Sequence, residues 1–299
     1  MDSSIASPED FAAPLPAPSF TYASDELSRL ARHVVRSIER VSGQPRIKRM
    51  YFDYQARRRP REQFWNDAVA ALRLAVDLDR PAAEVLPATG PLVVVANHPF
   101  GVVDGVLLCW LVAQVRPDFR ILTHRVLHQA PEVRDHVLPV DFAATPAALE
   151  NNLRSRRAAR AILDQGGVLI LFPAGAVAYA PRLRGPAVDL PWGTLAAKLA
   201  LAGCADVLPV FFAGQNSGLY QLAANLHQTL KYALLFHEVR NKIGARIAMR
   251  LGTPIPHRAL RELGDSRAAT GLLRAATEAL NPMPCSRGPS GRLGLNRGP

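Results

Sequence analysis

The residues best suited to chemistry are a histidine and an aspartate that flank a short turn. His98 and Asp104 lie six positions apart in the stretch Asn-His-Pro-Phe-Gly-Val-Val-Asp-Gly, residues 97–105. A carboxylate that holds one ring N–H of an imidazole fixes the tautomer and leaves the other nitrogen free to take a proton. The pair is therefore a minimal general-base unit. A purely structural interpretation competes with it, in which His98 caps the following helix and Asp104 is an acid of its first turn.

The turn connects a predicted strand to a predicted helix. Residues 92–96 form a short, β-branched apolar run bounded by breakers, which is typical of a buried strand. The next apolar stretch, residues 106–115, predicts a helix that begins near Asp104. Since only neighbours three or four apart share a helix face, His98 and Asp104 can meet only across a turn. Catalytic groups of α/β enzymes collect at such strand ends.

Further apolar strands alternate with helices along the chain. The predicted strands are residues 120–123, 137–140, 168–172, 207–212 and 245–252, the last at a sheet edge because its apolar residues alternate. Helices are predicted over residues 62–76, 145–165, 195–201 and 222–243, with residues 77–90 as a loop. A helix between two apolar strands is a crossover unit. The predicted fold class is therefore α/β, a single domain with a mostly parallel central sheet flanked by helices and preceded by N-terminal amphipathic helices.

The stretch around His98 resembles the active-site motif of the glycerolipid acyltransferase superfamily. Five residues separate His98 from Asp104, as in its hemolysin-like and ornithine-lipid acyltransferase variant, whereas the usual spacing is four. The resemblance covers about residues 60–256 in four ordered blocks. It implies a peripheral-membrane enzyme that moves a fatty acyl group from acyl-CoA or acyl-carrier protein to a hydroxyl of a lysophospholipid-type acceptor. His98 would be the general base and Asp104 its partner, with no metal or redox cofactor.

The same resemblance suggests further site residues. Asn97 and backbone N–H groups near Gly101 are predicted to stabilise the oxyanion, a role worth roughly 3 kcal/mol in other enzymes. His124 and Arg125 directly follow a predicted strand in the second block, and they are candidate contacts for the acceptor's phosphate or carboxylate. The alternative for either residue is a place on a helix surface. With a reference histidine pKa near 6.5, activity is expected to fall below about pH 6.

The third block departs from the superfamily pattern. Residues 168–172 form a predicted strand, and its end reads Phe-Pro-Ala-Gly at 172–175, where the pattern has Phe-Pro-Glu-Gly. Ala174 replaces the common glutamate, and Ala176 stands where the hemolysin-like variant often has one. Gly175 is kept as a predicted acceptor-binding residue. Two arginines of the following loop are predicted to bind an anionic headgroup instead: Arg182 and Arg184.

The fourth block and the altered third block bear on the alternatives. Leu-Pro-Val at 208–210, followed by Gly-Gln-Asn-Ser at 214–217, matches the fourth block and predicts scaffold and turn. The alanines of the third block leave open a non-catalytic lipid-binding relative. A thioester or lipid hydrolase would use the same His/Asp pair on water, although no Gly-x-Ser-x-Gly motif supports a serine mechanism.

Charge favours an acidic partner surface. The formal net charge is +11 and the isoelectric point is near 10.3. Residues 25–41 predict a basic amphipathic helix capped by Ser24, with apolar and basic stripes typical of helices that lie on membranes. An ordinary surface helix is the alternative. The apolar stripe comprises Leu27, Leu30, Val34, Ile38 and Val41, and the predicted membrane contacts are Arg29, Arg32, Arg36, Arg57, Arg58 and Arg59. Aromatics among these arginines also suit RNA, but no RNA-binding signature accompanies them, so anionic lipid is favoured over nucleic acid.

Composition also suggests organisation and location. The predicted divisions are a disordered N-terminus (1–23), N-terminal basic helices (24–80), an acyltransferase domain (81–275) and a disordered basic tail (276–299). The three cysteines, Cys109, Cys204 and Cys285, are widely spaced and suggest neither a disulfide framework nor a metal site. No secretory signal or membrane-spanning helix is predicted. The expected location is the cytoplasm, at the inner face of the membrane, and nothing in the sequence predicts an oligomeric state.

Overall fold

A computed structural model describes residues 20–23, 28–124, 130–141, 143, 145–182 and 185–282. These residues form a seven-stranded sheet with the order β1-β7-β6-β2-β5-β3-β4, in which only β6 and β7 pair antiparallel. The strands are β1 (Ala75–Leu78), β2 (Leu92–Ala96), β3 (Phe119–His124), β4 (Val137–Val140), β5 (Val168–Leu171), β6 (Asp206–Ala213) and β7 (Arg246–Leu251). Sequence reasoning is confirmed on the fold class, a mostly parallel α/β sheet.

Helices cover both faces of this sheet. They are α1 (Arg29–Ser42), α2 (Gln44–Ala56), α3 (Phe64–Ala71), α4 (Ala82–Val85), α5 (Val102–Ala113), α6 (Pro146–Asp164), α7 (Leu195–Ala202), α8 (Gly218–Leu226), α9 (Gln228–Ala233), α10 (Leu235–Lys242), α11 (His257–Glu262) and α12 (Ser266–Glu278). The central strand β2 is fully buried along its length. Leu92, Val94 and Ala96 face the layer that contains α3 and α5, while Val93 and Val95 face α7 and α12. A strand buried on both faces requires the continuous apolar run that the sequence shows.

The edge of the sheet differs from the prediction. The helix predicted over 62–76 ends at Ala71, and Ala75–Leu78 form β1, which pairs in parallel with β7. The predicted edge position of β7 is therefore wrong. Its alternation has another cause: Ile247, Met249 and Leu251 are buried, whereas the opposite face of the strand is partly open to solvent. The predicted boundary at residue 80 does not coincide with a break in the fold, because β1 belongs to the sheet.

Helix α1 packs against the protein mainly through residues outside the predicted apolar stripe. It begins at Arg29, where Ser28 Oγ accepts a hydrogen bond from Ala31 N at 3.2 Å; the predicted cap, Ser24, lies outside the described residues. The side chains at positions 35, 39 and 42 are buried, while Leu30 and Val41 are 77% and 81% exposed. Glu39 determines which face of α1 is buried, because its carboxylate accepts hydrogen bonds from the segment 20–23. Of the predicted apolar stripe, Leu30, Val34 and Val41 therefore face outward and Ile38 packs inward, while Leu27 lies outside the described residues.

Two other boundaries shift. The helix predicted over 222–243 is divided into α8, α9 and α10, because His227 adopts an extended backbone conformation and its ring accepts from the N–H of Thr229 to cap α9. Helix α12 continues to Glu278, two residues past the predicted start of the basic tail at residue 276. The predicted disorder at 1–19 and 283–299 concerns residues outside those described.

Candidate active site

The His98/Asp104 pair is formed across the loop between β2 and α5, here called the histidine loop (residues 97–101). His98 Nδ1 lies 3.0 Å from Asp104 Oδ2. Asp104 is completely buried in the first turn of α5, whereas the His98 side chain is 16% exposed. With Nδ1 engaged by the carboxylate, Nε2 is the ring nitrogen left to exchange a proton with a ligand.

Asp104 also fixes the loop that carries the histidine. Its Oδ2 atom accepts hydrogen bonds from the backbone N–H groups of Phe100 at 2.8 Å and Gly101 at 2.9 Å. Burial raises the pKa of Asp104, and the hydrogen bonds from His98 and these two amides oppose that shift. A buried carboxylate is best balanced by a nearby cation, so Asp104 is placed to stabilise an imidazolium that forms during a reaction.

The imidazole is held from a second side by the loop between β5 and α7, here called the proline loop (residues 172–194). The rings of His98 and Phe172 are stacked, with centroids 3.9 Å apart and planes 20° apart. The N–H of Ala178 donates to the carbonyl oxygen of His98 at 2.8 Å. On the other side of the residue, Asp189 Oδ1 accepts from the N–H of His98 at 3.1 Å. The ring face and both main-chain polar groups of His98 are therefore fixed.

A pocket of about 240 Å³ opens onto this histidine. Its wall combines residues from three of the four sequence blocks, including His98 and Gly101 from the first, His124 from the second and Gly175 from the third. Strand ends bring these blocks together, because β2, β3 and β5 are parallel neighbours whose carboxyl ends lie at one edge of the sheet. The structure thus unites four of the predicted site residues.

A second cavity of about 190 Å³ adjoins this pocket and is lined almost wholly by apolar side chains of α2, α3, α5 and β3. The two spaces share four wall residues: Tyr22, Val102, Gly105 and Thr123. Gly105 leaves the shared wall open, since a Cβ added there would meet nothing nearer than Ile121 Cδ1 at 3.9 Å. The arrangement places an apolar cavity next to the pocket that contains the histidine.

The predicted oxyanion groups have other partners. The side chain of Asn97 pairs with the backbone of Phe212 on β6, accepting from its N–H at 2.7 Å and donating to its carbonyl at 2.9 Å. The N–H of Gly101 is donated to Asp104. Both groups therefore belong to the scaffold of the histidine loop, and the geometry does not support the predicted oxyanion role for them.

Of the three arginines predicted to bind the acceptor, only Arg182 is among the described residues. Arg182 is exposed and is not part of the wall; Arg125 and Arg184 lie outside the described residues. Of the predicted membrane contacts, Arg32 is half-buried and five are exposed: Arg29, Arg36, Arg57, Arg58 and Arg59. Arg59 forms an ion pair with Asp67 at 2.9 Å.

Three side chains at the site were missed by sequence reasoning. Asp189 binds the N–H of His98, Tyr22 separates the two cavities, and Lys231 Nζ donates to the carbonyl of Val177 in the proline loop at 2.7 Å. Burial lowers the pKa of Lys231 to about 8. Each comes from a segment distant in sequence, and none carries a local motif; the spacing of Asp189 and Trp192, which share a hydrogen bond, was the only available signal.

Comparisons with known proteins identify the family of this chain. A family model described as "Acyltransferase" matches residues 26–283. A lyso-glycine lipid O-acyltransferase from Phocaeicola vulgatus is 26% identical over 185 residues, which cover 58% of this chain and 62% of that protein, less than two thirds of its length. A solved structure of the 1-acyl-sn-glycerophosphate acyltransferase PlsC from Thermotoga maritima has 18% identity and a TM-score of 0.46 over 74% of this chain and 78% of that one. Because the family model spans most of its length, the chain belongs to the acyltransferase family.

Proposed function

We propose that the protein transfers a fatty acyl group from a thioester, acyl-CoA or acyl-carrier protein, to the hydroxyl of a lysolipid acceptor. The observation that carries this proposal is the His98/Asp104 pair at a mostly apolar pocket, whose wall also contains His124 and which adjoins an apolar cavity. A lysophospholipid is the first-choice acceptor. The name of the Phocaeicola relative adds a lyso-glycine lipid to the candidates, alongside amine-bearing lysolipids.

In the proposed reaction, Nε2 of His98 takes the proton of the acceptor hydroxyl as its oxygen attacks the thioester carbonyl. The tetrahedral intermediate collapses, the C–S bond breaks, and the departing thiolate takes the proton back from His98. The products are an oxygen ester and a free thiol. Asp104 keeps the Nδ1 proton in place and stabilises the imidazolium that exists between the two transfers.

Each of the two cavities would hold a different part of the substrates. The apolar cavity next to Gly105 would accommodate the acyl chain, because each methylene removed from water contributes about 0.8 kcal/mol. The pocket that contains His98 and His124 receives the acceptor's head, where a half-buried His124 side chain is placed to contact an anionic group. Tyr22 lies between the two spaces and would contact both substrates near the reacting carbonyl.

We also propose that the outward face of α1 binds an anionic bilayer. Leu30, Val34 and Val41 are exposed on it, and the arginines at 29, 36 and 40 lie beside them. An exposed apolar stripe bordered by cations suits the interface of a membrane that carries negative lipids. Within the described part of the chain, no helix is long and apolar enough to span a bilayer. The association would be peripheral, at the inner face of the membrane, with Arg57, Arg58 and Arg59 as further contacts.

The enzymatic proposal is tested by measuring acyl transfer from radiolabelled acyl-CoA and acyl-carrier protein into lysophospholipids, lyso-glycine lipid and lyso-ornithine lipid. Transfer by the wild type and a loss of at least about 10³-fold in His98→Ala are expected. His257→Ala is a matched control, since His257 also lies near an aspartate, 3.4 Å from Asp206, but is not part of the pocket wall. Release of free fatty acid without transfer would indicate a hydrolase, and vesicle binding without either reaction would indicate a lipid-binding relative.

The membrane proposal is tested by sedimentation with vesicles that contain phosphatidylglycerol or only phosphatidylcholine. Leu30→Ser combined with Val41→Ser is expected to weaken binding to the anionic vesicles about tenfold or more. Leu149→Ser with Leu153→Ser is the control, because these leucines are also exposed, 61% and 41%, but lie on α6. Equal binding by both double variants would rule out α1 as the contact surface.

A further inference from the structure

Asp189 is a second carboxylate at the proposed catalytic histidine. It follows the antiparallel bridge between Tyr179 and Val188 and precedes α7. Its two oxygens have separate partners: Oδ1 accepts from the N–H of His98 at 3.1 Å, and Oδ2 accepts from the indole N–H of Trp192 at 2.9 Å. A carboxylate with both oxygens engaged is fixed in position, so its charge has a defined place relative to the histidine.

The contact with Asp189 is one of two hydrogen bonds that fix the main chain of His98. Ala178 donates to the carbonyl of His98, while Asp189 accepts from its N–H, so the two arms of the proline loop hold the peptide groups flanking the imidazole. The base of the same loop is closed by the N–H of Gly193, which donates to the carbonyl of Pro173 at 2.9 Å. A displacement of Asp189 would therefore move His98 relative to Asp104.

The negative charge of Asp189 also acts on His98, in addition to the effect of Asp189 on the position of this residue. The titratable groups around the imidazole are Asp104 from α5, Asp189 from the proline loop, and His124, Tyr22 and Tyr232 in the pocket wall. Burial raises the pKa of Asp189, while the N–H groups of Trp192 and His98 favour its charged form. A second fixed carboxylate beside the imidazole adds to the stabilisation of the imidazolium that forms during proton transfer.

We infer that Asp189 is a positioning residue of the transfer reaction, which fixes the main chain of His98 and stabilises its imidazolium form during proton transfer. This inference rests on the proposed function of His98 as the general base. Asp189 itself touches neither substrate and exchanges no proton. Its effect should therefore appear in the turnover rate and in the pH dependence, and only weakly in substrate binding.

The test is the pH–rate profile of Asp189→Asn against the wild type. We expect kcat to fall about 10- to 100-fold with KM nearly constant, and the acid limb to move to lower pH by about half a unit, because a negative charge is removed. Trp192→Phe is the matched control: it removes the second hydrogen bond of Asp189 but keeps its charge, so its acid limb should stay in place. An unchanged kcat and acid limb in Asp189→Asn, or a limb moved to higher pH, would overturn the inference.

A second measurement separates this inference from the proposed function. The midpoint of the His98 ring titration, followed by NMR, should move to lower pH in Asp189→Asn even if no acyl acceptor is found. An unmoved midpoint contradicts the inference while leaving general-base catalysis by His98 intact. If Asp189→Asn does not fold, Asp189→Glu is measured instead, because it keeps the charge but moves it away from its native position. A reduced kcat with an unmoved acid limb supports the inference. An unchanged kcat contradicts it.

Discussion

The histidine loop and the proline loop meet at one imidazole, yet they contribute to it in opposite ways. The histidine loop and the first turn of α5 carry the reactive side chains within eight residues of sequence. Asp104 binds His98 and two backbone amides of the histidine loop. The proline loop supplies support from far along the chain: a stacked ring, a main-chain donor and a carboxylate 91 residues from His98. Catalytic chemistry is thus encoded locally, while its orientation depends on the assembled sheet.

Replacing one glycine in each loop by alanine should produce the largest difference in stability and activity between the two loops. Gly101 has φ of 77° and ψ of −117°, and a Cβ added there would lie 3.1 Å from Leu235 Cδ2 and 3.2 Å from Val177 Cγ2. Gly175 also has positive φ, 67°, but its added Cβ would meet nothing within 4 Å. We expect Gly101→Ala to destabilise the fold by about 2–3 kcal/mol and to reduce transfer at least about 100-fold, since it displaces Asp104 and His98.

Gly175→Ala should cost only about 1 kcal/mol, because its backbone strain is not compounded by a clash. Thermal unfolding and transfer rates of both variants test the contrast. Equal losses would mean that the two loops are equally constrained, contrary to the difference described above.

The stacked ring of Phe172 offers a smaller effect. Phe172→Leu retains most of the apolar volume but removes the aromatic face that lies 3.9 Å from the His98 ring. We expect kcat to fall about tenfold through lost orientation, with KM and stability changed little. Steady-state kinetics of Phe172→Leu beside Phe172→Tyr, which keeps the ring, is the measurement. A Leu variant as active as the Tyr variant would show that stacking does not orient the imidazole.

The smallest effect concerns Lys231 and should appear in stability. Its pKa in the folded protein is about 8, below the ordinary value of 10.5, because of burial. Between these values the unfolded chain binds more protons than the folded one, so the contribution of Lys231 to stability rises with pH from about 8 to 10.5 and is lost as pH falls through 8. Relative to Lys231→Met, the wild type should gain on the order of 2 kcal/mol across this window.

Denaturant titrations of both proteins at pH 7.5, 9 and 10.5 measure this gain. A constant difference in unfolding free energy between wild type and Lys231→Met would show that the amine is not buried in the folded state.

Local patterns predicted the strands that carry the site, because β2 and β5 are buried on both faces and must be continuous apolar runs. They also predicted the meeting of His98 and Asp104 across a turn. They failed for β1, whose Ala75–Leu78 is short and polar in part and becomes a strand only by pairing with β7. They also failed for Asp189, since no local pattern links residues 91 positions apart.

Helix α1 shows another reason why local sequence patterns do not determine the whole fold. Helical periodicity identified an apolar stripe but not its direction, and the buried hydrogen bonds of Glu39 decided which side packs inward. Propensity and pattern define an element, whereas the partner that covers it is a property of the whole fold.

The most direct test of the account is the acyl-transfer rate of Asp104→Asn, measured under single-turnover conditions with the donor and acceptor that the wild type accepts. An asparagine keeps the volume but cannot hold the His98 Nδ1 proton and the Phe100 and Gly101 amides as a carboxylate does. The account predicts that the rate falls about 10³- to 10⁴-fold while the protein stays folded and binds lipid. A folded Asp104→Asn variant that transfers at the wild-type rate would contradict the central claim that this pair is the catalytic unit.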